Sequence, residues 1–320
     1  MSAGLEWLVE ERTPEEELEY RRYLRRRIRQ RKRRRQVMIA RFIVGVTSIV
    51  LVFLIFFGIG KIFFSGGDGQ KKVKPSATPF VVDVPEGYND VYQKLYGQRG
   101  DFPQLDDILL SMERYPKDVL QMLANNMETI DFVSDYLKHV DDTEANGGIT
   151  AEELQQEGIP LFQQWDRRWG YVTYGNNIIA INGCGPTCLS MVYTGLTGKG
   201  NYTPADMAGF CIENNYFDQE SGTSWALMLN GARKLGLDSQ RVEASKKSIK
   251  RCLKDGRPVI ASMKPGDFTT TGHFIVLTGL TEEGKVDVND PNNIANSKKQ
   301  WDLDRIVSQT KAAWSYAQER

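Results

Sequence analysis

The sequence predicts an α+β protein from the order of its helical and strand-like segments. Helical periodicity of apolar residues recurs in short pieces over residues 88–140, and β-branched runs typical of strands occur from residue 257 onward. Two of those runs, 274–280 and 285–288, flank Glu283-Gly284, which predicts an antiparallel hairpin. Helices followed by antiparallel strands are typical of the α+β class.

The first 41 residues are predicted to be a basic cytoplasmic segment. They hold 13 of the 41 Lys and Arg residues but only 7 of the 41 Asp and Glu residues, although the whole chain has no formal net charge. Such a cluster can contact the phosphates of a nucleic acid or the anionic headgroups of a lipid surface. The apolar run that follows it favours lipid headgroups, so we expect no nucleic-acid partner.

Residues 42–64 are predicted to be a transmembrane helix, because the only charge in this apolar run is Lys61 and about 20 apolar residues cross a bilayer. The basic flank places the N-terminus in the cytoplasm and the rest of the chain outside it. A cleaved signal peptide is the alternative, but the run is long, starts late and has no obvious small-residue cleavage site. We therefore expect a single-pass cell-membrane protein, with residues 65–80 as a Gly- and Pro-containing linker.

Residues 81–156 are predicted to form a small helical stalk. Apolar residues recur there at helical spacing, and Pro103 and Pro116 mark helix starts. His139 falls in one of these amphipathic segments and is expected to be a solvated surface histidine. The stripes are expected to form a core: Leu105, Ile108, Leu109, Met112; Val119, Leu120, Leu123; Ile130, Val133, Tyr136, Leu137, Val140.

The segment 142–153 imitates a calcium-binding loop, with Asp first, Gly sixth and Glu twelfth. Its third position is Glu144, where Asp or Asn is usual. A simpler interpretation is a helix start in which Thr150 and Glu153 form a capping box. We favour the capping box and expect no metal site.

Residues 157–320 are predicted to be the catalytic domain. Helices are expected at 186–196, 224–235 and 246–254, and a first strand at 257–263. Those helices precede the predicted strands, and the helix at 186–196 begins directly after a Gly-Cys-Gly-Pro sequence.

Cys184 in that sequence is the candidate nucleophile. A helix N-terminus and a nearby imidazolium both lower the pKa of a thiol, and Pro186 is tolerated in a first helical turn. The backbone N–H of Cys184 would face a developing oxyanion. The chain has only two histidines, and His273 begins an apolar strand, so it is the candidate base.

The other three cysteines are expected to be core thiols rather than metal ligands. Cys188 lies one helical turn beyond Cys184, and Cys211 and Cys252 occupy ordinary apolar positions. No second Cys or His pair has the spacing of a zinc site. A disulfide between some pair stays open at this point.

The imidazole needs an acceptor for its second nitrogen, and the predicted hairpin brings Asp290 towards His273. Asn289 is the competing acceptor. Adjacent residues of a regular strand point to opposite faces, so only one of the two can serve.

Several short motifs occur along the second half of the chain: Gln164-Trp165-Asp166, Arg168-Trp169, Tyr174-Gly175, Gly183-Cys184-Gly185-Pro186-Thr187, Gly222-Thr223-Ser224-Trp225, Gly272-His273-Phe274 and Asn289-Asp290-Pro291. Together they resemble the bacterial papain-like domain that is related to the leader peptidases of bacteriocin exporters, the C39-like cysteine peptidases. The resemblance covers roughly residues 157–317 and implies a papain-like fold, in which the helix bearing the nucleophile packs on an antiparallel sheet.

The resemblance also implies a Cys184, His273 and Asp290 triad and a glutamine in the oxyanion hole. In papain-like enzymes this glutamine stands about six residues before the cysteine, where this chain has Ile178. Gln164 is the candidate that suits the family pattern, with Gln163 beside it.

The expected function is that of a membrane-anchored extracytoplasmic thiol hydrolase, a cysteine peptidase that cleaves a peptide or cell-wall amide bond without a cofactor. Two alternatives belong to other classes. One is a catalytically silent module that binds peptide or cell-wall material, and the other is a thiol-dependent acyl or amide transferase.

Overall fold

The computed structural model describes residues 80–219 and 222–319. The predicted basic segment 1–41, the predicted transmembrane helix 42–64 and most of the predicted linker lie outside these residues. Within them, no helix is long and apolar enough to cross a membrane. The described residues belong to one compact unit.

The helical region predicted for residues 81–156 consists of short helices. The longest is only nine residues long, so the helices depend on packing against one another rather than on their own propensity. The α-helices are α1 (Asn89–Tyr96), α2 (Leu105–Leu110), α3 (Lys117–Asn125), α4 (Ile130–Asp135) and α5 (Ala151–Gln155), with 3₁₀ turns at Met112–Arg114, Met127–Thr129 and Tyr136–Lys138.

The predicted apolar stripes form the core of this region. Leu105, Leu109 and Leu120 are fully buried, whereas Val140 at the end of the last stripe is exposed. The core continues into the catalytic part of the chain, because Tyr171, Ile178 and Ala180 belong to the same apolar cluster. The helical region therefore packs directly against the residues that precede Cys184.

The catalytic part begins with two short hairpins and three helices. The hairpins pair β1 (Thr173–Tyr174) with β2 (Asn177–Ile178) and β3 (Phe217–Asp218) with β4 (Gly222–Thr223). The helices are α6 (Ile179–Asn182), α7 (Cys184–Thr197) and α8 (Pro204–Glu213), and a π-helical stretch at Leu227–Gly231 leads into α9 (Ala232–Lys234).

The rest of the chain forms a five-stranded antiparallel sheet and three further helices. The strands are β5 (Leu237–Val242), β6 (Val259–Met263), β7 (His273–Leu280), β8 (Val286–Asn289) and β9 (Thr310–Gln318), in the spatial order β5-β9-β6-β7-β8. The helices are α10 (Lys246–Lys254), α11 (Ile294–Ser297) and α12 (Leu303–Gln309).

This arrangement confirms the predicted mixture of helices and antiparallel strands. The helix predicted at 246–254 has those bounds, and the predicted hairpin is β7–β8. Two strands of the five-stranded sheet were not predicted, β5 and the inner nine-residue β9, and neither were the two-residue strands β1 to β4. In β9, Ala312 to Tyr316 are all buried, so the strand lacks the alternation that marks a half-exposed strand.

Apolar side chains cover both faces of the sheet. Ile260, Val276 and Trp314 pack with α7 and α8 on one face. Their strand neighbours Val259 and Ile275 pack with α10 and α12 on the other. The sheet is thus the middle of three layers, and α7 is held by contacts with both α8 and the sheet.

The segment 142–153 contains the predicted capping box. Thr150 Oγ1 accepts a hydrogen bond from the Glu153 backbone N–H at 3.2 Å, and Glu153 Oε2 accepts one from the Thr150 N–H at 2.8 Å. The Glu153 carboxylate also accepts two hydrogen bonds from the Arg168 guanidinium.

The prediction for His139 was wrong. Its ring stacks on Tyr171 at 4.3 Å between centroids, and its Nδ1 lies 2.8 Å from Asp142 Oδ2. The side chain keeps 30% of its accessible surface, so it is half-buried rather than solvated. The amphipathic pattern missed this contact because Tyr171 comes from the catalytic part of the chain.

Candidate active site

Cys184 is the first residue of α7, as predicted. Gly183 precedes the helix, its N–H donates to Ile179 O at 2.7 Å, and the N–H of Thr187 donates to Gly183 O at 2.9 Å. A Cβ on Gly185 would come within 2.6 Å of Thr223, so glycine permits a close approach of β4 to the first turn. Cys184 is a partly exposed residue, the three other cysteines are buried, and all four are free.

His273 is the first residue of β7. The preceding loop is anchored on α12, because Asp267 accepts hydrogen bonds from Arg305 Nε at 2.6 Å and from Gln309 Nε2 at 2.7 Å. These donors hold the pKa of Asp267 at about 2. The anchored loop fixes where the strand begins and so where the imidazole lies.

Asp290 follows directly after β8 and faces the imidazole. Its Oδ1 lies 2.8 Å from His273 Nε2, and the pair is buried, with 8% and 1% of the side-chain surfaces exposed. Asn289 points elsewhere, since its Nδ2 donates to Ile159 O and Pro160 O at 2.9 and 3.0 Å. Asp290, not Asn289, is therefore the acceptor for His273.

The charges of these groups stabilise one another. Burial alone would lower the pKa of His273, but the Asp290 carboxylate and the nearby Cys184 thiol raise it to about 10. Burial alone would raise the pKa of Asp290, but the imidazolium of His273 and the hydrogen bonds from Asn296 and Asn292 lower it. The histidine is consequently charged near neutral pH, the state that stabilises a neighbouring thiolate.

The two candidate glutamines contact different parts of this site. Gln164 Nε2 donates to Ala180 O at 2.8 Å, in the helix turn just before Cys184. Gln163 Nε2 donates instead to Asp290 O at 3.2 Å. Both side chains are buried, and neither amide oxygen has a hydrogen-bond partner within the described residues.

The model of the Peptidase C39-like family matches residues 156–320, more than half of the chain. The chain belongs to that family. It is a cysteine-type peptidase, and the matched residues include every candidate site residue named above. The family match confirms the resemblance that the sequence motifs indicated.

A solved structure that is similar to this peptidase is the peptidase domain of Streptococcus ComA, a bi-functional ABC transporter involved in a quorum-sensing pathway. The two sequences are 20% identical, the alignment covers 43% of this chain and 93% of that one, and the TM-score is 0.35. At this identity and TM-score the likeness supports no conclusion about this chain. No curated protein matches the chain.

Two residues beside Asp290 were not predicted from the sequence of this peptidase. Asn296 Nδ2 donates to Asp290 Oδ2 at 2.8 Å, and Ser297 Oγ accepts from the Asp290 N–H at 2.9 Å. Both residues lie in α11, beyond the Asn289-Asp290-Pro291 motif. The run of Asn and Ser after Pro291 is the signal that could have found them, because such side chains cap short helices and bond nearby backbone groups.

Proposed function

We propose that Cys184 is the nucleophile of this peptidase, His273 its general acid and base, and Asp290 the group that orients His273. The observation that carries the proposal is the buried 2.8 Å contact between His273 and Asp290, together with the influence of the Cys184 thiol on the His273 pKa. An imidazole held by a carboxylate on one nitrogen leaves its other nitrogen for the thiol.

The reaction begins with a Cys184 thiolate and a His273 imidazolium. The sulfur attacks the carbonyl carbon of the scissile amide, and the negative charge moves to the carbonyl oxygen. When that intermediate collapses, the C–N bond breaks and the imidazolium gives its proton to the leaving amine. Water then attacks the thioester while His273 takes its proton, the C–S bond breaks, and the acid leaves with the Cys184 thiolate and the His273 imidazolium restored.

The carbonyl oxygen would be stabilised by the backbone N–H of Cys184 and by the side-chain amide of Gln164. Hydrogen-bond donors placed where the charge develops contribute a large part of catalysis in such sites. Gln164 is favoured over Gln163 because it bonds to the turn that precedes Cys184, whereas Gln163 bonds to Asp290.

The substrate is a peptide or a cell-wall amide outside the cytoplasm, and the protein acts while anchored to the cell membrane. The sequence supports the anchor through the apolar run 42–64 and the preceding Arg-rich flank, which would bind anionic lipid headgroups. Protease treatment of intact cells should remove the catalytic domain. Full protection, or a soluble mature form that starts after residue 64, would contradict the anchor.

Labelling with a thiol-directed activity probe tests the nucleophile directly, because the probe reacts with the thiol itself and no substrate is needed. We expect probe labelling of the wild-type protein to be lost in Cys184→Ala and retained in the matched variant Cys188→Ala, whose thiol is buried. In an experimental structure, the Cys184 sulfur should lie about 3–4 Å from a His273 ring nitrogen. Turnover by Cys184→Ala would defeat the proposal.

A further inference from the structure

The segment that carries Asp290 is held from outside the catalytic domain as well as from within it, where Gln163 Nε2 donates to Asp290 O at 3.2 Å and Trp165 Nε1 donates to Asn292 O at 3.0 Å. Asp290 is followed by a turn and then by α11, which supplies Asn296 to one carboxylate oxygen. The other carboxylate oxygen accepts the His273 contact and a hydrogen bond from the Asn292 N–H at 2.9 Å. The orientation of the carboxylate therefore depends on where residues 292–297 lie.

Two side chains of the helical region fix those residues. Glu128 accepts hydrogen bonds from the Ile294 N–H at 2.8 Å with Oε2 and from the Ala295 N–H at 3.1 Å with Oε1. Asn126 Nδ2 donates to Asn292 O at 2.6 Å. Backbone N–H groups at the start of a helix have no partner within the helix, so the Glu128 carboxylate supplies one to α11.

The helical region presents these two side chains in a defined geometry. Asn126 is buried and caps the 3₁₀ turn that contains Glu128, because its Oδ1 accepts from the Glu128 N–H at 3.1 Å. The same 3₁₀ turn is tied down by Thr129, whose Oγ1 donates to Asn126 O at 2.8 Å. The contacts span 166 or 167 positions of the sequence and join two regions that lie on either side of Cys184 in the chain.

We propose that Glu128 and Asn126 are positioning residues for catalysis: they hold α11 so that Asn296 and the 290–292 turn aim the Asp290 carboxylate at His273. The helical region then contributes to catalysis and does not merely separate the membrane from the peptidase. This proposal rests on the proposed roles of His273 and Asp290. Neither residue touches the reacting atoms.

The test uses the full-length protein and measures how fast iodoacetamide alkylates Cys184 at a series of pH values, with the Cys184 peptide quantified by mass spectrometry. A thiolate paired with a well-oriented imidazolium reacts at pH 6, where an ordinary thiol with a pKa of about 8.5 is almost unreactive. We expect Glu128→Ala to slow the reaction at pH 6 by about three- to tenfold, the effect of losing a hydrogen-bonded contact, and to bring the pH profile closer to that of Asp290→Ala.

Two further variants distinguish a positioning role of Glu128 from a failure of the protein to fold. Glu128→Gln keeps the shape and one accepting oxygen, so it should give an intermediate profile even where Glu128→Ala does not fold. Glu113→Ala removes an exposed carboxylate of the same region and should leave the profile unchanged. In the Asp290→Ala background, Glu128→Ala should add no further loss, because the group it positions is absent.

The outcomes distinguish this proposal from the proposed function. Wild-type protein in which Cys184 reacts like an ordinary thiol, or Asp290→Ala with a wild-type profile, would contradict the triad itself. A normal wild-type profile that Asp290→Ala alters but folded Glu128→Ala and Glu128→Gln leave unchanged would overturn the positioning role alone.

Discussion

The two halves of the site, Cys184 at the start of α7 and the segment that carries Asp290, are positioned by different kinds of contact. Cys184 is placed by its own neighbours in the sequence, since the hydrogen bonds at its helix start join Ile179, Gly183 and Thr187. The segment that carries Asp290 is placed by residues 127 to 167 positions away, among them Gln163 and Glu128. A nucleophile can thus be recognised in a short motif, whereas the orientation of its acid–base partner is a property of the whole fold.

The largest effect on catalysis is expected at His273, the residue that links Cys184 to Asp290. His273→Ala should lower kcat/KM by at least about 10²-fold, the lower end of what general acid–base catalysis contributes, while the fold persists. His139→Ala is the matched control, because it removes the only other histidine and a stacking contact with Tyr171. It should lower stability by about 1 kcal/mol without changing kcat/KM. Less than a tenfold loss in His273→Ala would show that the imidazole is not the base.

A substitution beside Cys184 sharpens the comparison, because it tests the close contact of Gly185 with Thr223 in a distant segment of the chain. Gly185→Ala would place a Cβ 2.6 Å from Thr223 Cγ2, so β4 or the first turn of α7 must shift. We expect a loss of about 1–3 kcal/mol in stability from overpacking, and a tenfold or greater loss of rate as Cys184 moves.

Gly209→Ala is the control for this substitution in the neighbouring helix. A Cβ there meets no atom within 4 Å, and the helical position should gain up to about 1 kcal/mol in stability with no change in rate. Thermal unfolding and kcat/KM are measured for both variants. If Gly185→Ala matched Gly209→Ala in both, the first turn of α7 would tolerate displacement.

The same contrast explains how much of the site could be predicted from the sequence. Cys184 and His273 could be predicted as candidates because a Gly-Cys-Gly-Pro sequence and the scarcity of histidine are local facts. Strand geometry alone could not separate Asp290 from Asn289, because the choice depends on side-chain direction at the end of β8, and Asp290 was predicted from the family resemblance. Asn296 was missed although the Asn- and Ser-containing run after Pro291 offered a signal. Glu128 was missed because nothing in its sequence neighbourhood indicates that its carboxylate caps a helix 166 residues later.

The fold was predicted to a similar extent and for a similar reason. Helix α10 and the β7–β8 hairpin were predicted from local periodicity and turn residues. The inner strand β9 was missed, because burial on both faces removes the alternation by which Thr310–Gln318 could be recognised. The sheet order, with β9 between β5 and β6, follows from long-range pairing that no local pattern contains.

A change of pH is expected to have a smaller effect, which falls on folding stability. It tests how strongly the charges of His273 and Asp290 stabilise the fold. The folded pKa of His273 is about 10 against an ordinary value of 6.5, so the stabilisation from its charge is complete below pH 6.5 and is lost as pH rises towards 10. The lowered pKa of Asp290 acts at the other end, since its contribution is lost as pH falls below its ordinary value of 3.8.

Thermal unfolding measured from pH 5 to pH 10 checks the sign of the His273 contribution. The melting temperature of the wild-type protein should fall over this range more steeply than that of His273→Ala, because the variant has no imidazolium to lose. Parallel curves would show that the His273–Asp290 pair is not coupled to folding.

The smallest effect is expected when calcium is added or removed, because the loop 142–153 lies outside both halves of the site. A calcium ion there would need the first and twelfth loop side chains, yet both are already in use within the protein. Asp142 Oδ2 accepts from His139 Nδ1 and Asn146 Nδ2, and both Glu153 oxygens accept from Arg168 at 2.7 and 2.8 Å. Calcium would have to replace these contacts, and the hydrogen bonds from Arg168 help to lower the pKa of Glu153.

We therefore expect the melting temperatures in calcium and in EDTA to agree to within about 1 °C, which corresponds to a few tenths of a kcal/mol or less. Thr150→Ala should cost about 1 kcal/mol in either solution, because it removes the helix cap and no metal ligand. A clear rise of the melting temperature in calcium that Glu153→Ala abolishes would instead make the loop a calcium site. Because this loop packs on Arg168 of the catalytic domain, such a result would add a metal-dependent contact to the interface between the helical region and the peptidase.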